Sequence, residues 1–288
     1  MITRNDTICN IAILVNPLSG HTHAAAISRQ LHQLLQARQI PHGIFIRNWP
    51  VVLDAFSDIW IIGGDGTLNY FINHYPDTRQ PLSIFKGGTG NDFAWKLYGN
   101  AGVEEQVEII LQSPPRKVDA ICCNDKLYIN SMGIGFDGEI IHAIRTIRRL
   151  GGYTGYLLAV IRNIFRFREK LYNISWGNEK LEGKFLLLNI NNSTRTGGGF
   201  LISPHAKIDD GKADLVICDP LSVPKRLRYL PVMQKGRHLS LPFIHYQQLP
   251  ELAIITPTSV YAHADGELLE GNSFVFRVLP AQFSFRYR

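Results

Sequence analysis

The chain has 288 residues, is 45% hydrophobic and 19% charged, and carries a net charge of +6. That length suits two domains with a sizeable core, and no apolar run approaches the ~18–20 residues of a membrane span. The polar start excludes a secretory signal, and the four cysteines (Cys9, Cys122, Cys123, Cys218) lack metal-ligand spacing, so they read as a reduced, cytosolic set.

The first half alternates strand and helix patterns. Ile8–Val15 is an apolar β-rich run that stops at Asn16-Pro17, and Ala24–Ala37 has helical periodicity through Ile27, Leu31, Leu34 and Leu35. Ile40–Ile46, Ile59–Ile62 and Leu82–Phe85 read as further strands, and Asn91–Leu97 and Val103–Leu111 as short helices. This alternation predicts a parallel sheet with covering helices, whose ligands gather at the C-terminal ends of the strands. The turns after Val15, Ile62 and Phe85 would then lie along one edge.

Pro114-Pro115 reads as a linker, which puts the domain boundary near residue 118. Beyond it come two helical patterns, Glu139–Leu150 and Thr154–Lys170. Strands follow at Tyr172–Trp176, Phe185–Asn191, Ala213–Cys218, Leu252–Ile255, Ser259–Ala262, Phe274–Leu279 and Phe283–Tyr287, with a helix at Val223–Gln234. The fold class is therefore α/β plus β-rich: a parallel α/β domain over 1–118 and an antiparallel, sandwich-like domain over 119–288. The first domain is neutral, with 9 Lys/Arg and 9 Asp/Glu, whereas the second holds 21 against 15 and so faces an anionic partner.

The most informative stretch is Gly63-Gly64-Asp65-Gly66-Thr67-Leu68-Asn69, set between a buried strand and a helix. Such a turn brings backbone N–H groups and a helix N-terminus to a phosphate. Asp65 would repel that phosphate unless a cation lies between them, which points to Mg²⁺ arriving with a nucleotide and to phosphoryl transfer. Five more segments stand out: Asn16-Pro17-Leu18-Ser19-Gly20, Gly87-Gly88-Thr89-Gly90-Asn91-Asp92-Phe93-Ala94, Gly133-Ile134-Gly135-Phe136-Asp137, a run from Gly197 through Asp209-Asp210-Gly211, and Asp265-Gly266-Glu267.

In that order, from Asn16 to Glu267, these motifs resemble the diacylglycerol kinase catalytic-domain family, and within it the soluble bacterial lipid kinases related to sphingosine and ceramide kinases. The resemblance implies a nucleotide domain, a β-rich lipid domain and a cleft between them. It implies that Asn16, Ser19, Gly63, Gly64, Asp65, Gly66, Thr67 and Asn69 line the ATP site, with Thr89 and Asn91 in the neighbouring loop. Glu267 would be the proton acceptor, with Asp65 as its catalytic companion and Asp265 as a further candidate for organising Mg²⁺·ATP. A structural Mg²⁺ would rest on the Asp210 side chain and the carbonyls of Lys207 and Lys212. The chain departs from the family pattern at Tyr70, where a glutamate is common, at Gly87 and Trp95, and over Arg47–Asp58, which is shorter than usual.

The implied function is transfer of the γ-phosphate of ATP to a lipid hydroxyl, with diacylglycerol as first expectation. The alternatives are a kinase acting on NAD, which shares the Gly-Gly-Asp-Gly-Thr element, and a catalytically idle lipid- or nucleotide-binding protein. The expected partners are a lipid substrate and the inner surface of a membrane, with a homodimer left open and no nucleic acid, since no nucleic-acid-binding motif is present. Glu139–Lys170 holds seven Lys/Arg against two Glu, and reads either as helices packed on the core or as a patch drawn to anionic lipid. Plainer readings stand beside several sites: Asn91 as a turn residue, Asp92 as a helix cap, Asp209-Asp210-Gly211 as a simple turn, and His21 and His23 as solvated loop residues.

Overall fold

The computed structural model describes residues 8–20, 23–146 and 152–288. His21, singled out in the sequence, lies outside the described residues, as do residues 147–151 of the Glu139–Lys170 segment. The chain forms two compact units, one of residues 1–118 with 281–288 and one of residues 119–280. The last eight residues, grouped with the second domain by the sequence reading, therefore sit in the first unit.

In the first unit the order is β1 (Ile11–Val15), α1 (His23–Ala37), β2 (His42–Ile46), β3 (Asp58–Gly63), α2 (Asp65–His74), β4 (Leu82–Lys86), α3 (Asp92–Tyr98) and α4 (Val103–Gln112). Every residue of β1 and β3 is buried, so both strands are continuous apolar runs rather than alternating ones. The strands are parallel in the order β2-β1-β3-β4. From β1 the chain moves one way to β2, and from β3 it moves the other way to β4. Right-handed crossovers then put α1 and α2 on opposite faces. The reversal leaves a crevice at the C-terminal ends of β1 and β3, the place where open α/β sheets bind ligands. The sequence expected a turn-lined edge there, and Asn16 and Gly64 occupy it.

The second unit takes up β5 (Pro115–Cys123), β6 (Lys126–Tyr128), β7 (Ser131–Gly135), α5 (Phe136–Thr146), α6 (Gly152–Arg166), β8 (Lys170–Trp176), β9 (Glu179–Phe185), β10 (Leu187–Asn191), β11 (Ala213–Cys218), α7 (Val223–Gln234), β12 (Ile244–Leu249), β13 (Glu251–Ala264) and most of β14 (Glu267–Arg286). Its strands pair antiparallel in the order β12-β11-β10-β7-β13-β14, with β8–β9 added to β13 and β5–β6 joined through β5 to β14. A register shift between Ile255 and Val260 divides β13, whose first half pairs with β8 and whose second half pairs with β7. Irregularities of this kind let one strand serve two sheets around a shared core. One apolar cluster, with Tyr128, Ile134, Tyr172 and Phe276, fills the sandwich. A second, with Phe136, Ile140, Val160, Ile164 and Val216, lies where α5 and α6 cover the sheet. Pro114-Pro115 is not a loose linker, because Pro115 opens β5, and the first residue of a strand tolerates the missing N–H.

The end of β14 is fixed in the first unit by a buried charge. Phe285 pairs with Leu82, and the Arg286 side chain is 2% exposed. Its Nε donates to Asp58 Oδ1 at 2.5 Å and its Nη1 to the Ser113 carbonyl at 3.0 Å, while the Tyr98 hydroxyl donates to the Arg286 carbonyl at 2.9 Å. Burial raises the Asp58 pKa, and the guanidinium acts in the opposite direction. Arg286→Met would leave a buried carboxylate without its cation, so urea unfolding at pH 7 should show a loss of about 3–5 kcal/mol. At pH 5 the loss should shrink, because Asp58 in the variant takes up a proton in the folded state above the pH at which the unfolded chain does.

Candidate functional site

Three turns meet at the crevice of the first unit, and they meet through backbone. A Cβ on Gly88 would lie 2.5 Å from Gly64 Cα, and one on Gly20 would lie 2.4 Å from the Gly87 carbonyl oxygen. Only glycine permits that approach. Around it, the Asn16 Nδ2 donates to Thr67 Oγ1 at 2.9 Å, and Ser19 Oγ lies 3.1 Å from the same hydroxyl. Asn16 N–H bonds to the Ile62 carbonyl, tying the end of β1 to the end of β3. Asn16, Ser19 and Thr67 are therefore brought together beside the Gly63–Gly66 backbone at the start of α2. A cradle that any side chain would fill, opened by a helix N-terminus and rimmed by hydroxyl and amide groups, suits a polyphosphate. Asn69 is buried one turn further along α2, its carbonyl accepting from Asn73 Nδ2 at 2.8 Å, and Thr89 is exposed on the loop after β4.

Two residues brace the cradle locally, and only the part played by Asn91 was legible in the sequence. The Asp65 carboxylate accepts the N–H of Asp92 at 3.0 Å and of Phe93 at 2.9 Å, so it caps α3 from the first turn of α2. Its charge is compensated by these donors and by the end of α3, without a cation being required. Asn91 has φ 53° and closes on its own loop: its Oδ1 accepts from Gly88 N–H at 2.8 Å and its Nδ2 donates to the Gly88 carbonyl at 2.7 Å. Asn91 thus matches the turn-residue reading, with both ends of its amide engaged by Gly88. Loss of the Asp65 cap should loosen the cradle, and Asp65→Ala should lower the unfolding free energy by about 1–3 kcal/mol, with Asp65→Asn intermediate.

In the second unit, Glu267 is exposed and opens β14 directly after a two-residue turn. Asp265 and Gly266 have φ 49° and 85°, the left-handed pair that a tight hairpin needs. Asp265 itself is 4% exposed, and its carboxylate accepts N–H bonds from Ile129 at 2.9 Å and from Asn130 and Ser131 at 3.0 Å each. Three successive amides aimed at one carboxylate hold the turn and hence the start of β14. Asp265, expected to help organise the metal, is instead a buried anchor for backbone.

At the Asp210 turn, Asp210 Oδ1 accepts the Lys212 N–H at 3.1 Å, and Asp119 Oδ2 accepts the Gly211 N–H at 2.7 Å. One carboxylate and the carbonyls of Lys207 and Lys212 make an all-oxygen donor set of the kind Mg²⁺ accepts. The turn is already closed by its own bonds, and among the described residues no group of three or more His, Cys, Asp or Glu side chains is arranged to hold a metal.

The second unit also brings Asp137 of the Gly133–Asp137 motif close to His263, a proximity the sequence did not show. Asp137, on the first turn of α5, lines an apolar cavity with Phe136, Ile140, Val160, Leu187 and Phe200, and accepts a bond from Asn189 Nδ2 at 2.8 Å. Burial pushes its pKa up to about 7 and pushes that of His263 down to about 4. Gly133 separates them, since a Cβ there would lie 2.8 Å from Asp137 Oδ2 and 2.9 Å from His263 Nε2. Between about pH 4.5 and 6 the folded unit holds the proton on Asp137 and the unfolded chain holds it on His263, so the two slopes cancel. Asp137→Asn removes one of them. Relative to wild type, its stability should rise with pH across that window by about 1.4 kcal/mol per unit, whereas His263→Gln should show the opposite slope. Urea titrations at pH 4.5, 5.2 and 6 would read both.

Comparison with known proteins agrees with this architecture. Residues 10–123 match the diacylglycerol kinase catalytic domain, and residues 130–285 match the YegS C-terminal NAD kinase beta sandwich-like domain. A Mycobacterium tuberculosis protein named diacylglycerol kinase is 26% identical over 281 residues, covering 92% of this chain and 90% of its own. A Chromohalobacter salexigens protein named "probable lipid kinase YegS-like" is 27% identical over 223 residues, covering 76% and 72%. In fold, the crystal structure of a diacylglycerol kinase from Bacillus anthracis superposes with a TM-score of 0.73 at 20% identity, covering 98% of this chain and 97% of that one. An NAD kinase from Archaeoglobus fulgidus in complex with ATP superposes with 0.55 at 12%, covering 96% and 93%. The chain belongs to the diacylglycerol kinase catalytic-domain family of lipid kinases, in the form that joins that domain to a YegS-type C-terminal β-sandwich.

Proposed function

We propose that this protein transfers the γ-phosphate of Mg²⁺·ATP to the hydroxyl of a lipid, with diacylglycerol or a related lipid as acceptor. The observation that carries the reading is the cradle at the end of β1 and β3, where Gly64 and Gly88 touch through backbone and Asn16, Ser19 and Thr67 converge. Membership in a lipid kinase family supports the same reaction class.

The roles follow from chemistry. The backbone N–H groups of Gly63–Gly66 and the Thr67 hydroxyl hold the phosphates, and Asp65 and Asn91 keep the cradle closed. Bound Mg²⁺ supplies charge neutralisation on the phosphates. Glu267 accepts the lipid hydroxyl proton as that oxygen bonds to the γ-phosphorus and the bond to ADP breaks. The second unit offers the lipid apolar surface at the pocket between α5, α6 and α7, whose wall also carries Asp137, Thr196 and Arg226.

Access to lipid calls for contact with a membrane surface. Among the described residues no helix is long and apolar enough to cross one. On α6, Val160 and Ile164 are buried, while Leu158, Ile161 and Phe165 are 53%, 38% and 60% exposed beside the exposed Arg162 and Arg166. An apolar stripe flanked by arginines suits an anionic bilayer.

The decisive assay follows radiolabel from γ-labelled ATP into organic-extractable product on vesicles with Mg²⁺. Lipid label in the wild type, with normal ATP binding but at least 100-fold less turnover in Glu267→Gln, is the expected result. Label on NAD and none on lipid would favour the nucleotide kinase, and undiminished turnover in Glu267→Gln would remove that residue from the mechanism. Phe165→Glu should weaken vesicle binding in flotation while leaving ATP affinity unchanged.

A further inference from the structure

The first unit carries aromatic side chains beside the cradle, partly packed on the core and partly exposed. Trp49 lies in the short connection between β2 and β3, and its indole N–H points at the Val15 carbonyl at 3.5 Å, one residue before Asn16. Its ring meets Tyr70 edge to face, with centroids 5.6 Å apart, and also packs on Phe71. Tyr70 stands on α2 three residues after Thr67, one helical turn along the same face. Tyr70 in turn stacks on His74 at 5.4 Å with ring planes 12° apart.

This row is held in place, with Trp49 half-buried and Tyr70 exposed. The connection is pinned by Asn48 N–H to the Ile46 carbonyl at 2.8 Å, by the Tyr75 hydroxyl to the Pro50 carbonyl at 2.8 Å and by Gln80 Nε2 to the Leu53 carbonyl at 3.3 Å. Yet Tyr70 is 57% exposed, and Leu18, Val51 and Val52 are 83%, 90% and 63% exposed. A single exposed tyrosine would be ordinary. A fixed tryptophan–tyrosine pair that starts at the end of β1 and borders the helix face carrying Thr67 has the chemistry to take a flat heterocycle joined to phosphates.

We propose that Trp49 and Tyr70 form the platform on which the base of the nucleotide stacks while its phosphates lie in the Gly63–Gly66 turn. The inference rests on the reading of the first unit as a nucleotide site, and it adds residues that no glycine motif contains. Stacking of a base on an aromatic ring corresponds to about 5- to 150-fold in affinity.

Titration calorimetry with Mg²⁺, using ATP and inorganic tripolyphosphate as separate ligands, tests it without reference to turnover. The wild type should bind both, ATP more tightly. Trp49→Ala and Tyr70→Ala should each weaken ATP by about fivefold or more and leave tripolyphosphate unchanged, and Trp49→Phe should keep most of the ATP affinity. Should Trp49→Ala weaken tripolyphosphate too, the connection has been disturbed, and Tyr70→Ala, on the exposed face of α2, decides. Unchanged ATP affinity in both alanine variants overturns the platform while leaving the phosphate cradle standing. Wild-type protein that binds neither ligand overturns the nucleotide site and the platform with it.

Discussion

The carboxylate of Asp65 holds the first unit's ligand crevice together. It sits on α2, yet it accepts the first two free N–H groups of α3. Through that brace the turn after β3 and the turn after β4 are drawn so close that Gly64 and Gly88 meet without room for a side chain. Each turn alone is a loop on a sheet edge. Joined, they make one rigid concave surface of backbone donors. A negative charge in an anion site looks contradictory in the sequence, and the structure resolves it by directing that charge at α3. The cradle can then present its own N–H groups to a ligand with the Asp65 charge already compensated.

How much of this could be read in the chain depends on the range of the interaction. The alternation of β1, α1, β2, β3, α2 and β4 was legible because β1 and β3 are unbroken apolar runs and α1 has a clear apolar face. The crevice followed, since it depends only on strand order and handedness. The second unit was harder. β9, Glu-Lys-Leu-Glu-Gly-Lys-Phe, is a charged edge strand whose only apolar signal is Leu181 and Phe185, four residues apart on one face with Gly183 between them. β12 carries His245, Tyr246 and two glutamines at a sheet edge, and its alternation is equally faint. β7 was read as a glycine motif because its glycines hid a five-residue buried strand.

Interactions that join distant positions left no local trace. Asp58 and Arg286 are 228 residues apart, and Asp265 and Ile129 are 136 apart. Nothing near Asp58 announces a cation, and nothing near Ile129 announces that three consecutive amides need a carboxylate. The short connection after β2 is a related case. In the sequence it is a missing segment. In the structure its Trp49 is pinned against the end of β1, which makes it a candidate to touch ligand.

The acidic residues of the motifs divide by what their oxygens meet. Asp65 and Asp265 receive two and three backbone N–H bonds, and each fixes the conformation of a turn. Asp137 lies buried on a cavity wall with Asn189 as donor, and burial keeps its carboxyl protonated up to about pH 7. Asp65 and Asp265 could take a proton from an incoming alcohol only by losing backbone donors that fix their turns, and Asp137 lies on the wall of an apolar cavity. Glu267 differs, for it is exposed at the first position of β14, after a turn anchored by Asp265. A base must change protonation during turnover without unfolding its surroundings, and under the proposed function that requirement separates the two acids of the Asp-Gly-Glu element: the buried aspartate holds the backbone, and the exposed glutamate is the one proposed to accept the proton.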